Sequence, residues 1–222
     1  MKLMVTRRMT PAAEHALSAR FDTTIMDRTD GLTEAEAAAA MAEYVAVMPT
    51  LGDRFSAGAF RPGLRCRLLA NFGAGYNHID VEAAAHAGIA VTNTPDAVTE
   101  ATADIALTLI LMTARRAGEG ERLLRRGEWT GWQPTQLLGR HVAGCTVGII
   151  GMGRIGKAIA RRCHFGFGMQ GLFHNRSVVS ALDFPARQVE GLDELLTQSD
   201  FAVVAVPGGA GTRHMIGTHE LE

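Results

Sequence analysis

Apolar positions recur along the chain in two alternating rhythms. Short aliphatic or β-branched runs at residues 2–5, 21–26, 45–48, 67–70 and 89–91 read as strands. Between them lie stretches with helix-start signals. Thr10 and Pro11 supply an N-cap and a proline at the first helical position, which opens a helix to about Arg20. Thr33-Glu-Ala-Glu36 is a capping box for the alanine-rich stretch to Tyr44, and Asp80 caps a helix ending near Gly88. Strands that alternate with helices predict a parallel sheet covered on both faces.

Residues 99–127 read as one long helix. Its apolar middle (Ile105, Leu107, Leu109, Ile110, Leu111) and its arginine pairs suit a bridge between two α/β units. In the loop that follows, Trp129 and Trp132 are either hydrophobic plugs or part of a subunit contact. The strand–helix rhythm then resumes with strands at 146–150 and 170–174, a short helix at 191–199, and a strand at 201–206 taken as the third of the second unit. The loop 207–212 follows a strand's carboxyl end, where open α/β sheets bind ligands. The fold class is therefore α/β, with units at 1–98 and 99–222.

Composition narrows the function classes. A chain of 222 residues with 47% apolar and 20% charged residues suits one large domain or two small ones with buried cores. A net charge of −1 gives no electrostatic case for nucleic acid or an anionic membrane. Cys66, Cys145 and Cys163 have neither disulfide-framework nor metal-site spacing, which fits a reduced cytoplasm. Neither a signal peptide nor a membrane span is expected, and no metal.

The sharpest chemistry lies at 146–177. Gly151, Gly153 and Gly156 give G-x-G-x-x-G between a buried strand and a helix. The first glycine allows a tight turn and the second lets backbone approach a pyrophosphate at the helix's positive end. The third lets helix and strand pack closely. The next strand ends at Asn175, Arg176 and Ser177, where an NAD site usually carries an acid for the ribose 2′-hydroxyl. Arg176 could pair with a 2′-phosphate and Ser177 could donate to it, so NADP(H) is favoured and NAD(H) is the alternative. The bland reading of Arg176 is a solvated loop charge.

With these residues in hand, the chain resembles the D-isomer-specific 2-hydroxyacid dehydrogenases, and within them the glyoxylate and hydroxypyruvate reductases. The resemblance is carried by NFGAGYNHIDVEAAAHAGIAVTNTP (71–95), TEATADIALTLIL (99–111), RRGEWTGWQP (125–134), TVGIIGMGRIGKAIARR (146–162) and HNRS (174–177). It implies a flavodoxin-like substrate-binding domain followed by a Rossmann cofactor domain. It further implies that backbone at Ala74 and Gly75 receives the substrate carboxylate and that Arg154 and Ile155 flank the pyrophosphate. Pro207 and Thr212 would line the adenine and ribose side, with Thr102 near the cofactor. Trp132 resembles a residue directed at a partner subunit's active site, which implies a homodimer. The glycine-rich stretch 205–211 departs from the family's usual polar-leucine loop.

The implied reaction is reduction of a small 2-keto acid to a D-2-hydroxy acid. It needs a cation for the carboxylate, a general acid for the new alkoxide, and a carboxylate to tune that acid. The family's Arg, Glu and His segments do not occur in 1–222, so these groups are expected beyond residue 222, and the chain reads as a fragment with an incomplete Rossmann sheet. On that reading the strand at 146–150 lacks a neighbour on one side. His78 follows the Gly-Ala-Gly turn and reads as a loop-lining or helix-capping residue in preference to a catalytic one. His164 serves a helix end. Arg115, Arg116, Arg125 and Arg126 read as a solvated face, and His214 and His219 form no triad. The second functional reading is a non-catalytic dinucleotide-binding or regulatory protein of the same fold.

Overall fold

A computed structural model describes residues 1–222, which divide into two compact units, Met1–Ala97 and Val98–Glu222. In the first unit β1 (Lys2–Val5), β2 (Asp22–Ile25), β3 (Ala46–Met48), β4 (Leu68–Ala70) and β5 (Ala90–Thr92) form one sheet in the order β2-β1-β3-β4-β5. Every pairing is parallel. This is the flavodoxin-like order, and its direction reverses between β1 and β3. The helices start where their caps dictate. Thr10 accepts from the Ala13 amide at α1 (Pro11–Ser18), and Asp80 accepts from the Ala83 amide at α3 (Val81–His86). Thr33 and Glu36 form a reciprocal capping box at α2 (Glu34–Glu43).

Alternation along β1 shows why both sheet faces are covered. Met4 joins a core with Met41, Val47, Phe55, Leu69 and Ile79, while Leu3 and Val5 point to the other face beside Ala46. At the carboxyl ends of β1 and β3 a fully buried carboxylate ties the loops together. Asp53 accepts from Thr6 Oγ1 (2.7 Å), the Thr50 amide (2.8 Å), the Leu32 amide (2.8 Å) and Arg7 (3.2 Å). Buried charge persists in such a place only when its lone pairs are this fully occupied.

The second unit holds α4 (Thr99–Ala114), α5 (Ala117–Arg125), β6 (Thr146–Ile150), α6 (Arg154–Phe167), β7 (Gln170–His174), β8 (Ala186–Val189), α7 (Leu192–Thr197), β9 (Phe201–Val204) and α8 (Thr218–Leu221). Its parallel sheet runs β8-β7-β6-β9, the 3-2-1-4 part of a Rossmann sheet. Three expectations are corrected here. The strand Ala186–Val189 is not expected from the sequence, because Arg187 and Gln188 break its apolar run, so Phe201–Val204 is the fourth strand of this unit and not the third. Strand β6 therefore has neighbours on both sides, and the open edges are β8 and β9.

The third correction concerns the helix expected over 99–127. It is two helices, broken where Arg116 adopts a left-handed conformation (φ 52°). The Arg140 amide donates to the Ala114 carbonyl (2.8 Å) and so supplies α4 with a partner for its last turn from a distant loop. Helix α4 lies within the second unit, where Ala103, Ile110 and Ala114 share a core with Ile159 and Cys163 of α6. Arg162 of α6 pairs with Glu100 and Asp104 of α4. No helix is long and apolar enough to cross a membrane.

Candidate functional site

In the second unit the three glycines stand at the junction of β6 and α6, and each has a distinct steric environment. Gly151 has φ 97°, and a Cβ there would lie 2.8 Å from Val206 Cγ1 and 2.9 Å from the Ala205 carbonyl oxygen. A Cβ on Gly156 would lie 2.1 Å from the Gly151 carbonyl oxygen, so the helix can approach the strand only without a side chain. Gly153 is the opposite case, because a Cβ there meets nothing within 4 Å. It is the N-cap of the fourteen-residue α6, and no side chain caps the helix. The first amides of α6, with Arg154 and Ile155 leading, thus border open space at the positive end of the helix dipole. That cradle fits a dinucleotide pyrophosphate.

The other residues proposed for the cofactor fall around this turn to different degrees. Asn175 Oδ1 accepts from the Met152 amide (3.3 Å), and its Nδ2 donates to the Ser177 carbonyl (3.0 Å) and hydroxyl (3.2 Å). Asn175 thereby joins the end of β7 to the glycine turn. Arg176 and Ser177 are exposed, and Arg176 forms no ion pair. Beyond β9, Thr212 Oγ1 donates to the Pro207 carbonyl (2.7 Å), which folds the glycine-rich loop back on itself. Ala205 and Val206 abut Gly151, so this loop leaves the sheet beside the turn. Thr102 is exposed on α4 between the two acids that hold Arg162, and no hydrogen bond joins it to the glycine turn.

In the first unit, Ala74 and Gly75 lie in the turn after β4. This turn is held to the loop after β3 by a bridge between Thr50 and Phe72 and by the Phe72 amide donating to the Pro49 carbonyl (2.9 Å). Two asparagines that the sequence reading missed shape it. Asn71 Nδ2 donates to the carbonyls of Gly73 (3.0 Å) and Gly75 (2.9 Å), and Asn93 Nδ2 donates to that of Ala74 (2.8 Å). The amides of Ala74 and Gly75 donate to no acceptor in the chain. Successive unpaired amides bind an anion where a turn makes them converge, and these two are open to that role. The available signal was the placement of polar residues of turn type on either side of Gly-Ala-Gly, though not the atoms that they reach.

His78 lines a cleft of about 570 Å³ with Asp53, Arg54, Ser56, Asn77 and Asp80. Both its ring nitrogens are buried without a partner, and burial pushes its pKa down against the opposing pull of Asp53. No carboxylate is bonded to it, so it lacks the orienting partner of a tuned acid. His164 Nδ1 lies 3.3 Å from the Met169 carbonyl at the end of α6, and His219 is an exposed residue 3.6 Å from Asp193. Arg116, Arg125 and Arg126 pair with Glu119, Glu121 and Glu128 on the surface. Burial raises the Cys163 thiol to about 11, which leaves it unreactive at neutral pH.

The sequence profile of the D-isomer specific 2-hydroxyacid dehydrogenase NAD binding domain matches residues 107–222, the stretch that contains the glycine turn. The chain belongs to the D-isomer specific 2-hydroxyacid dehydrogenase family. It is 46% identical over 182 residues to a glyoxylate reductase of Thermococcus gammatolerans, covering 80% of this chain and 54% of that protein. A glyoxylate reductase of Thermococcus onnurineus is 37% identical, with 100% of this chain and 67% of that protein covered. The chain thus spans about half to two thirds of the length of these relatives. Its fold is similar to an NADPH-dependent glyoxylate/hydroxypyruvate reductase from Sinorhizobium meliloti solved with NADP and malonate. There the TM-score is 0.81 and the identity 33%, covering 99% of this chain and 66% of that one. The matched NAD binding domain calls for a nicotinamide dinucleotide, and the open cradle at Gly153 fits one.

Proposed function

We propose that the protein carrying this chain reduces a small 2-keto acid of the glyoxylate or hydroxypyruvate type to the D-2-hydroxy acid, with NADPH as the preferred reductant. The observation that carries the proposal is the steric contrast at the glycine turn, where Gly151 and Gly156 are packed shut and Gly153 is open. A bound nicotinamide dinucleotide supplies the hydride. The residues of this chain bind and orient. The amides of Arg154 and Ile155 would receive the pyrophosphate, and those of Ala74 and Gly75 the substrate carboxylate. Pro207 and Thr212 would line the adenosine side, and Thr102 would lie near the cofactor.

Preference for NADPH rests on Arg176 and Ser177. They are exposed at the end of β7, where no acid is present to repel a 2′-phosphate. The Sinorhizobium meliloti relative is NADPH-dependent. Within residues 1–222 no histidine–carboxylate pair stands at the Ala74–Gly75 turn, so this stretch is proposed to bind both ligands without turning them over. Glyoxylate-dependent loss of NADPH absorbance by the full-length gene product, with NADPH binding but no loss by residues 1–222 alone, is the expected result. Absence of NADPH binding to residues 1–222 would end the proposal.

The second unit presents an apolar surface suited to a second copy. Ile105, Leu109 and Met112 follow helical spacing on the outer face of α4 and are 61%, 58% and 41% exposed. Trp129 and Trp132 are exposed rather than buried as plugs, and α5 buries no residue. A homodimer through this face is the reading, and replacing Ile105 and Leu109 with Asp is expected to yield a monomer in light scattering. The free thiols, two of them buried, suit the cytoplasm.

A further inference from the structure

We infer that Asn71 is a positioning residue that aims the Ala74 backbone amide outward, toward the substrate carboxylate, beside the Gly75 amide that Asn93 aims; this deepens the reading of that turn given above and rests on it. The argument begins with the planarity of the peptide. In a trans peptide the carbonyl of one residue and the amide of the next point in opposite directions, so fixing one fixes the other. The Gly73 carbonyl is held by Asn71 Nδ2 (3.0 Å) and by the Thr94 amide (3.0 Å), which turns the Ala74 amide the other way. The Gly75 carbonyl is held by the same Asn71 nitrogen (2.9 Å), which turns the Tyr76 amide the other way. Between them the Ala74 carbonyl is held by Asn93 (2.8 Å), which aims the Gly75 amide. Asn71 thus governs the first and third of three successive peptide planes with one nitrogen.

The chemistry of the group shows why an amide stands here. Its two partners are carbonyls, which only accept, so the nitrogen must face them, and a single –NH₂ supplies both donors. A carboxylate in its place would offer only acceptors, and a hydroxyl would offer one donor. The cost is visible on the other side of the group. Asn71 is 2% exposed, and its Oδ1 is buried without a partner. An orphaned acceptor of this kind is rare in folded proteins. Here it is the consequence of turning the amide so that both hydrogens serve the turn. The backbone of Asn71 is fixed independently, by its amide donating to the Thr92 carbonyl (2.9 Å), so the side chain is not needed to hold the strand end.

The test is binding of oxamate, a two-carbon keto-acid analogue, to the 222-residue chain, followed by amide resonances in NMR. In the wild type the Ala74 and Gly75 resonances are expected to move saturably. In Asn71→Asp at neutral pH the affinity is expected to fall about tenfold or more, the scale of losing oriented bonds to a charged ligand. It is expected to recover in part as the pH is lowered and the new carboxyl gains a proton to donate, while the wild type shows no such rise. A purely structural role would lower the melting temperature without creating that pH profile. Equal affinity in Asn71→Asp and wild type would overturn the inference and leave the carboxylate turn standing. Unmoved Ala74 and Gly75 resonances in the wild type would overturn both. Should Asn71→Asp not fold, hydrogen exchange of the Asn71 side-chain amide in the wild type decides. Slowing on addition of oxamate supports the inference, and no slowing overturns it.

Discussion

The Met152 amide donates to Asn175 Oδ1 across 3.3 Å, so the second residue of the glycine turn is fastened to the end of the neighbouring strand. The same side chain reaches on to the carbonyl and hydroxyl of Ser177, which makes Asn175 a link between the pyrophosphate cradle and the segment assigned to the ribose phosphate. Replacing it with Ala removes all three bonds. Asn175→Ala is expected to weaken NADPH binding by about tenfold, from the loss of bonds worth about 1 kcal/mol each that hold both halves of the site. Isothermal titration measures this directly, and unchanged affinity would show that the link does not shape the site.

The glycines of the turn are expected to separate stability from binding. Gly156→Ala drives a Cβ to 2.1 Å from the Gly151 carbonyl oxygen and should destabilise the second unit by about 3 kcal/mol. Gly153→Ala meets no atom within 4 Å, so its cost to stability should stay under about 1 kcal/mol. Gly153→Val should keep the fold and still lose NADPH affinity by about tenfold or more, because its bulk occupies the space reserved for phosphate. Melting curves and NADPH fluorescence titrations on the three variants check the pattern.

Charge at the end of β7 should set cofactor choice. Arg176→Ala is expected to cost NADPH about tenfold in affinity while leaving NADH within about twofold, since only the former carries the 2′-phosphate that a guanidinium would hold. A parallel loss for both cofactors would return Arg176 to the role of a solvated surface charge.

A pH dependence is expected at the start of α2. The Thr33 amide, then Arg28 and the Thr33 hydroxyl, hold the Glu36 carboxyl down from 4.5 to about 2. Because folding lowers this pKa, its contribution is complete above pH 4.5 and is lost as the pH falls through about 2. Glu36→Gln should therefore flatten the acid limb of the stability curve in that window. Denaturant titrations of both proteins between those values test it, and superimposable acid limbs would refute it.

Much of this architecture is legible in the residues because local chemistry and tertiary structure agree there. The caps at Thr10, Thr33 and Asp80 each bond as their spacing implies, and the glycine turn separates strand from helix where its pattern places it. What stayed hidden depends on partners remote in sequence. Strand β8 buries only Val189 and is held by pairing with β7, so its own pattern carries little signal. The break at Arg116 lacks a Gly or Pro to announce it, and the bond that completes α4 comes from Arg140. Asn71 marks a turn by its type, yet the two carbonyls that it serves become apparent only once the loop is folded.

Each unit has apolar clusters of its own: those around Phe55 and Leu3 draw on Met1–Ala97, and those around Ile149 and Leu195 on Val98–Glu222. A lesion in one of these cores therefore strips contacts from side chains of its own unit. Phe55→Ala, which empties a fully buried position of Met1–Ala97, is expected to cost about 3–5 kcal/mol of unfolding free energy in denaturant titrations, and a loss under about 1 kcal/mol would refute it.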